Sequence, residues 1–231
     1  MENFVDIYTD VLDYINRPAS EMLARAKREV NNAMYFLQRK HMFKMAERTF
    51  RVTYPANTLT VDITQAAEGT IRDYLNVQLL SGDTSTSGVP LHIKSYNEVL
   101  KEREQFQGKH EYHDDIEQPS VPEYDSHAEF TRNTNRYHLF LSGQNKIGLY
   151  PTPGQETYLL FNCHIWLPKL VADNDTNFLL VYGYDALLYK AVMTATNFIK
   201  EDNRLESHAL LYQEAFRSLM EWDASIRPPA V

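Results

Sequence analysis

The first forty residues alternate between apolar and polar positions with the period of an α-helix. Apolar side chains recur every three or four residues from Phe4 to Ile15 and again from Met22 to Leu37, and Pro18 separates the two runs. Because Pro interrupts a helix but is favoured in the first turn of the next one, the pattern predicts two amphipathic helices. We expect the second to run from about Ala19 to about Lys40.

After Glu47 the period changes to two, which is typical of β-strands. Apolar alternation on both sides of Pro55-Ala56-Asn57 predicts a β-hairpin over residues 50–63. Further strands are expected at Ile71–Leu80, 137–141, 146–150 and Thr157–Leu167. The last of these is apolar throughout, which predicts burial on both faces.

Two segments interrupt the β pattern. Ser95 and Glu98 form a capping box, which predicts a helix that begins there and fades before Gly108. Residues 108–135 have almost no apolar period, two prolines and seven acidic side chains. We expect a long acidic loop that projects from the body, as a contact for a partner or as plain disorder.

The helical period returns after Asp175. A short helix is predicted at Asn177–Tyr182, then a helix capped by Asp185 that reaches about Glu201, and a last helix capped by Asn203. The order of helices, strands and helices predicts an α+β fold, with N- and C-terminal helices packed as one helical bundle and an antiparallel β domain inserted between them. The expected boundaries are 1–46, 47–170 and 171–231.

Composition excludes several classes of protein. The 231 residues carry a formal charge of −8, so the excess of Lys and Arg typical of a DNA-binding surface is absent. The single cysteine, Cys163, excludes an internal disulfide framework. We expect a soluble protein without a secretory signal or a membrane span. Gly is scarce at 8 residues and Tyr abundant at 15, which favours an interaction protein over a nucleotide-binding enzyme.

Candidate chemistry is sparse. His110, His113 and Asp114 could hold a divalent metal, but the two His are three residues apart in an expected loop and not four apart on a helix, as in zinc proteases. Cys163 and His164 are neighbours in an expected strand and so point to opposite faces. No nucleophile, phosphate-loop or dinucleotide motif is present in the sequence, so we expect no enzyme, no cofactor and no metal.

Two surfaces could bind a partner. The second helix has basic residues on its outer face, and these are either solvated charges or a docking stripe for an acidic partner; they are Arg25, Lys27, Arg28, Arg39 and Lys40. Tyr182, Tyr184 and Tyr189 are expected to pack between helices, with a subset at a contact between subunits as the alternative.

Several strings, taken in order, resemble the head-to-tail adaptor proteins of short-tailed bacteriophages. These strings are Asp13-Tyr14-Ile15-Asn16-Arg17, Ala33-Met34-Tyr35-Phe36-Leu37, Thr49-Phe50-Arg51-Val52-Thr53-Tyr54-Pro55, Leu149-Tyr150-Pro151-Thr152-Pro153, Tyr184-Asp185-Ala186-Leu187-Leu188-Tyr189-Lys190-Ala191 and Ser218-Leu219-Met220-Glu221-Trp222. The sequence departs from the family pattern between about Leu80 and Arg136, where the extra helix and the acidic loop look like an insertion.

The resemblance implies a structural protein of the virion that forms a ring beneath the portal. It implies twelve copies, contacts with the portal and with tail nozzle or fibre proteins, passage of DNA without specific binding, and assembly in the host cytoplasm. Another tail ring or nozzle component is the alternative from the same class, and a metal-dependent enzyme using His110, His113 and Asp114 is the alternative from another.

The last residues are a further candidate contact. The tail from Asp223 to Val231, with Arg227 and the pair Pro228-Pro229, cannot extend the last expected helix and is too short to fold alone. We expect this tail to become ordered on a partner, so that deletion of residues 225–231 impairs docking to the portal.

Overall fold

The computed structural model describes residues 2–16, 19–86, 88–99, 101, 137–143, 145–196 and 205–226. The chain divides into two compact units. The helical unit combines Met1–Glu47 with Trp166–Val231, and the β unit is Arg48–Ile165. The predicted α+β class is confirmed, with helices at both ends of the chain and an antiparallel sheet domain between them.

Five helices form the helical unit in the described part of the chain. They are α1 (Phe4–Ile15), α2 (Ala19–Lys40), α3 (Phe178–Tyr182), α4 (Tyr184–Thr196) and α5 (Leu205–Ser225), and a short 3₁₀ turn lies at Lys44–Ala46. The predictions for α1 and α2 are confirmed. The Asp6 carboxylate accepts the Asn3 N–H at 2.8 Å and so closes the N-terminus of α1, and Asn16, with φ of 47°, ends this helix.

The core of the helical unit is built from the apolar faces that the period predicts. Ile7 and Val11 of α1, Met34 of α2 and Leu187 of α4 are fully buried in one cluster. The small residue Ala191 of α4 is also fully buried in this cluster. Each large apolar side chain buried in this way stabilises the fold by about 1.5–3 kcal/mol.

Two buried amides of α2 hold the chain where it returns from the β unit. Asn31 bonds both the N–H of Leu170, at 2.9 Å, and its carbonyl oxygen, at 3.1 Å. Gln38 accepts the N–H of Leu167 at 2.7 Å. This segment has no regular partner strand, so these side chains satisfy backbone groups that burial would otherwise leave unpaired.

The junction of α3 and α4 differs in one respect from the prediction. Asn177 caps α3 as expected, accepting the N–H groups of Leu179 and Leu180 at 3.0 and 3.1 Å. Asp185 is not an N-cap, because α4 already begins at Tyr184 and the N–H of Leu187 donates to Gly183. Asp is favoured in the first helical turn as well as at the N-cap, because its charge complements the helix dipole. The predicted N-cap, Asp185, therefore lies two residues after the observed N-cap position, Gly183. The expected cap Asn203 lies outside the described residues.

The β unit contains two four-stranded sheets in the described part of the chain. Its strands are β1 (Glu47–Tyr54), β2 (Val61–Asp62), β3 (Ile71–Leu80), β4 (Gly88–Pro90), β5 (His92–Lys94), β6 (His138–Leu141), β7 (Lys146–Tyr150) and β8 (Thr157–Ile165). One sheet has the order β1-β8-β3-β4 and the other β2-β7-β6-β5. β3 pairs antiparallel with β4 and β8, and β7 pairs antiparallel with β2 and β6, whereas β5 and β6 are parallel.

The predicted hairpin across residues 50–63 is wrong. β1 and β2 lie in different sheets, and residues 55–60 carry the chain from one sheet to the other. The turn itself is present, with Asn57 in the left-handed region at φ of 54° and its N–H bonded to the carbonyl of Pro153 at 2.8 Å. Alternation of apolar residues identifies a strand and its buried face but not the strand that it pairs with.

Most of the other predictions for the β unit agree with the structure. β3 has the predicted bounds, β6 and β7 pair as adjacent antiparallel strands, and Ser95 caps a helical turn by accepting the N–H of Glu98 at 3.3 Å. β8 is not buried evenly on both faces, since alternate residues from Tyr158 to Asn162 are half-buried. Val77, Leu139, Leu149 and Phe161 come from both sheets and share one core, so the unit is a β-sandwich.

Candidate functional site

The basic residues expected on the outer face of α2 do not form a single stripe. Arg28 and Arg39 are exposed, and their spacing of eleven residues places them within about 20° of each other around the helix and about 16 Å apart along it. Arg25 is half-buried at the edge of this row. We call Arg28 and Arg39 the arginine row.

Lys27 lies about 100° away from Arg28 around the helix and serves a contact inside the unit. Its Nζ is 2.7 Å from the Asp173 carboxylate and 4.5 Å from the centroid of the Tyr8 ring. The hydrogen bond to Asp173 raises the pKa of Lys27, and the same bond lowers the pKa of Asp173. Lys27 therefore lies beside the arginine row with a partner inside its own unit, and its expected role in binding a partner protein stays a prediction.

Tyr184 and Tyr189 both pack within the helical unit. The Tyr184 hydroxyl donates to the Asp10 carboxylate at 2.6 Å, which joins α4 to α1. Burial, followed by this hydrogen bond, raises the pKa of Tyr184 well above its usual value. The Tyr189 ring meets the edge of the Tyr14 ring at a centroid distance of 6.2 Å. Tyr184 and Tyr189 thus pack between helices, as expected by default. A contact of these residues between subunits stays a prediction.

A groove of about 610 Å³ lies between α3, the start of α4 and α5. Its wall contains Tyr182 and Trp222, whose rings stack at a centroid distance of 4.2 Å and an angle of 18°. Tyr182 is 51% exposed, and Val181 and Leu211 beside it are 41% and 40% exposed. Such a concentration of open aromatic and aliphatic surface is typical of a contact with a partner.

The charges around this groove have one sign. Glu2, Asp185 and Glu214 are exposed at its lining, and the described lining residues include no Lys, Arg or His. None of these three carboxylates forms an ion pair with another described residue. We call this feature the aromatic groove; it fits a ligand that combines apolar surface with a positive charge.

Sequence reasoning missed the aromatic groove because its parts are far apart in the chain. Residue 2, residues 181–189 and residues 211–222 meet only through the packing of the helices. A partial signal was present on α5, where Leu210 and Leu211 fall outside the apolar face that packs into the core. The expected start of the tail at Asp223 is wrong: α5 continues to Ser225, and the buried Asp223 carboxylate accepts the N–H of Lys44 at 2.9 Å. The expected tail contacts Arg227, Pro228 and Pro229 lie outside the described residues.

Comparison with known families adds the decisive observation. A family model described as SU10 adaptor protein matches residues 3–230. The chain belongs to the SU10 adaptor protein family. No curated protein matches it.

Membership in the SU10 adaptor protein family confirms the resemblance to phage head-to-tail adaptors that the sequence strings indicated. As a member of this family, the chain is a phage adaptor protein and a component of the virion. In the described ranges no cluster of His, Cys, Asp and Glu is placed to hold a metal ion, and the candidates His110, His113 and Asp114 lie outside these ranges. No helix that the structure describes is long and apolar enough to cross a membrane.

Proposed function

We propose that this SU10 adaptor family member is the head-to-tail adaptor of a phage particle, a structural protein whose copies form a ring that joins the portal to the tail. Twelve copies would match the symmetry that the family resemblance implies for the portal, and the ring would sit in the neck after assembly in the host cytoplasm. The observation that carries the proposal is the match of the family model over residues 3–230.

The helical unit supports the proposal because it has two surfaces of different chemistry. A closed ring needs a heterologous interface, in which one patch of each subunit binds a different patch of the next. The arginine row and the aromatic groove with its three carboxylates are two separate exposed surfaces of this unit, and they can serve different contacts in such a ring. We propose that Arg28 and Arg39, with Arg25 beside them, contact an acidic surface of the adjacent subunit or the portal.

The charge of the chain supports passage of the genome. With a formal charge of −8, a ring of copies presents an excess of negative charge, which repels the phosphate backbone and lets DNA slide without binding. The proposed ring has partners on two sides. These partners are the portal on one side and nozzle or fibre proteins of the tail on the other. We propose that residues 108–135 contact the nozzle or fibre proteins.

The proposal includes no catalysis and no cofactor. Another ring or nozzle component of the tail is the alternative within the same class, since the family match supports an adaptor without fixing its level in the neck. A metal-dependent enzyme using His110, His113 and Asp114 is the alternative from another class. Metal analysis of the purified protein separates them: stoichiometric zinc or manganese supports the enzyme and contradicts our proposal.

The arginine row provides the direct test of the interface. We expect the Arg28→Glu/Arg39→Glu protein to lose co-sedimentation with purified portal in a glycerol gradient. Lys169→Glu/Arg217→Glu is the matched control, because it changes the charge of the same unit equally at exposed positions outside the aromatic groove. If the Arg28→Glu/Arg39→Glu protein co-sediments with the portal as well as the control does, the arginine row does not contact the portal or the adjacent subunit.

A further inference from the structure

The aromatic groove has the features of a site for a proline-rich segment. Rigid segments of polyproline II conformation dock onto exposed aromatic rings and lose little conformational entropy on binding. Stacking of Tyr182 on Trp222 supplies such a platform, and Val181 and Leu211 extend it along the groove. The carboxylates of Glu2, Asp185 and Glu214 favour an arginine next to the prolines, because Arg bonds carboxylates with its planar guanidinium.

The chain itself contains a segment of this chemistry. Arg227, Pro228 and Pro229 are followed by Ala230 and Val231, directly after the last described residue. Arg227 complements the three carboxylates at the groove, and the two prolines suit its exposed aromatic and aliphatic wall. The charge and apolar character of the segment therefore agree with the groove.

The end of α5 is held by contacts with Lys44. Lys44 Nζ donates to the carbonyls of Ala224, at 3.1 Å, and Ile226, at 2.8 Å. The groove runs from Trp222 back toward Leu211, opposite to the direction of the chain. To fill its own groove the chain would have to reverse immediately after Ile226, although a Pro-Pro pair resists a tight reversal.

We propose that the aromatic groove binds residues 227–231 of a second copy of this chain. Arg227 pairs with the carboxylates at the groove, and the two prolines lie on Tyr182 and Trp222. The inference rests on the proposed function insofar as a ring places copies side by side. On this proposal, deletion of the tail removes a link between neighbouring subunits, and we expect docking to the portal to weaken for that reason.

A peptide of residues 225–231 with a fluorescent label tests the recognition step. The protein shortened after Ile226 has a free groove and is expected to bind the peptide saturably, as followed by fluorescence anisotropy. The Tyr182→Ala and Glu214→Lys variants of this shortened protein are each expected to bind at least about 10-fold more weakly. Leu210→Ala is the matched control, since Leu210 is on the same helix, 68% exposed and outside the groove.

Further variants separate specific recognition from general attraction. A peptide with Pro228→Ala and Pro229→Ala is expected to lose most of its affinity, and added salt is expected to weaken the intact peptide because it screens the pairing of Arg227. No saturable binding, or binding that Tyr182→Ala and Glu214→Lys leave unchanged, would overturn the proposal. The peptide measurements do not involve the portal protein. A negative result would therefore contradict the groove proposal without contradicting the proposed adaptor function, which the portal assay tests separately.

A disulfide test distinguishes the second copy from the same copy. Ser218 lines the groove and Ala230 lies in the segment, so the Ser218→Cys/Ala230→Cys chain can form a bond where the two meet. We expect covalent dimers and larger species whose yield rises with protein concentration. Bonds formed within single chains at all concentrations, or no bond at all, would contradict the proposal.

Discussion

A methyl group added at Gly148 tests the packing of the β unit. Gly148 of β7 pairs directly with Phe140 of β6, and the Phe140 ring lies across the glycine. A Cβ at this position would overlap the ring, with the Cε2 carbon of Phe140 only 2.6 Å away. The ring has little room to withdraw, because it is 1% exposed and Tyr96 packs against it at a centroid distance of 5.3 Å.

The expected loss of stability for Gly148→Ala follows from this overlap. Overpacking in a close-packed core destabilises a domain by about 1–3 kcal/mol. For a unit of this size, each kcal/mol lowers the melting temperature by about 4 °C, so we expect a decrease of about 4–12 °C. The Phe140→Leu substitution in the same chain should restore part of the loss, since it removes the ring atoms that overlap.

The chain provides separate probes for its two units. Cys163 is the single cysteine, fully buried in the β unit, and burial raises the pKa of its thiol to about 11. Thiol labelling in increasing urea therefore follows opening of the β unit. The two tryptophans, Trp166 and Trp222, are both in the helical unit, so their fluorescence follows that unit.

Gly154→Ala is the control for the glycine substitution, because nothing lies within 4 Å of a Cβ at Gly154. We expect Gly148→Ala to shift the labelling of Cys163 to lower urea and Gly154→Ala to leave it in place or move it slightly upward. Equal labelling curves for the two variants would refute the packing argument.

Three further changes test the helical core, a helix cap and a buried phenol. Asn31→Leu leaves both backbone groups of Leu170 unpaired and should lower the free energy of unfolding by at least about 2 kcal/mol in urea titrations followed by tryptophan fluorescence, whereas Gln213→Leu, at an exposed position of α5, should change it little. Asn177→Ala removes the cap of α3 and should cost about 1 kcal/mol in thermal unfolding, with Asn177→Asp retaining most of the stability. Burial raises the pKa of Tyr74 to about 12 from 10.0, so the folded state keeps the proton that the unfolded state loses. Stability from this group is complete below about pH 10 and is lost as pH rises toward 12. Tyr74→Phe should therefore make the urea midpoint of the β unit, followed by circular dichroism, less sensitive to pH in that window; an unchanged slope would count against it.

The parts of the fold that the sequence predicts well are those governed by local periodicity. The bounds of α1, α2 and β3 follow from apolar spacing and from Pro18, because one buried face and one breaker specify each element. Where the outcome depends on which elements meet, the same reasoning fails. The alternation around Pro55 is equally compatible with a hairpin and with two strands in different sheets.

The candidate site shows the same limit. The charges of α2 are visible in the sequence, but whether Lys27 joins the arginine row depends on Asp173, which lies far along the chain. The aromatic groove depends on three distant segments and could not be predicted. Asn31 and Gln38 were detectable in principle as polar residues within the apolar pattern of α2, although their backbone partners were not.

Negative-stain imaging of this protein mixed with purified portal tests the proposed function most directly. We predict class averages in which a closed ring of added density, with the rotational symmetry of the portal, sits on one end of each particle. Portal particles without added density at saturating protein, or open filaments in place of rings, would contradict the adaptor function proposed for this chain.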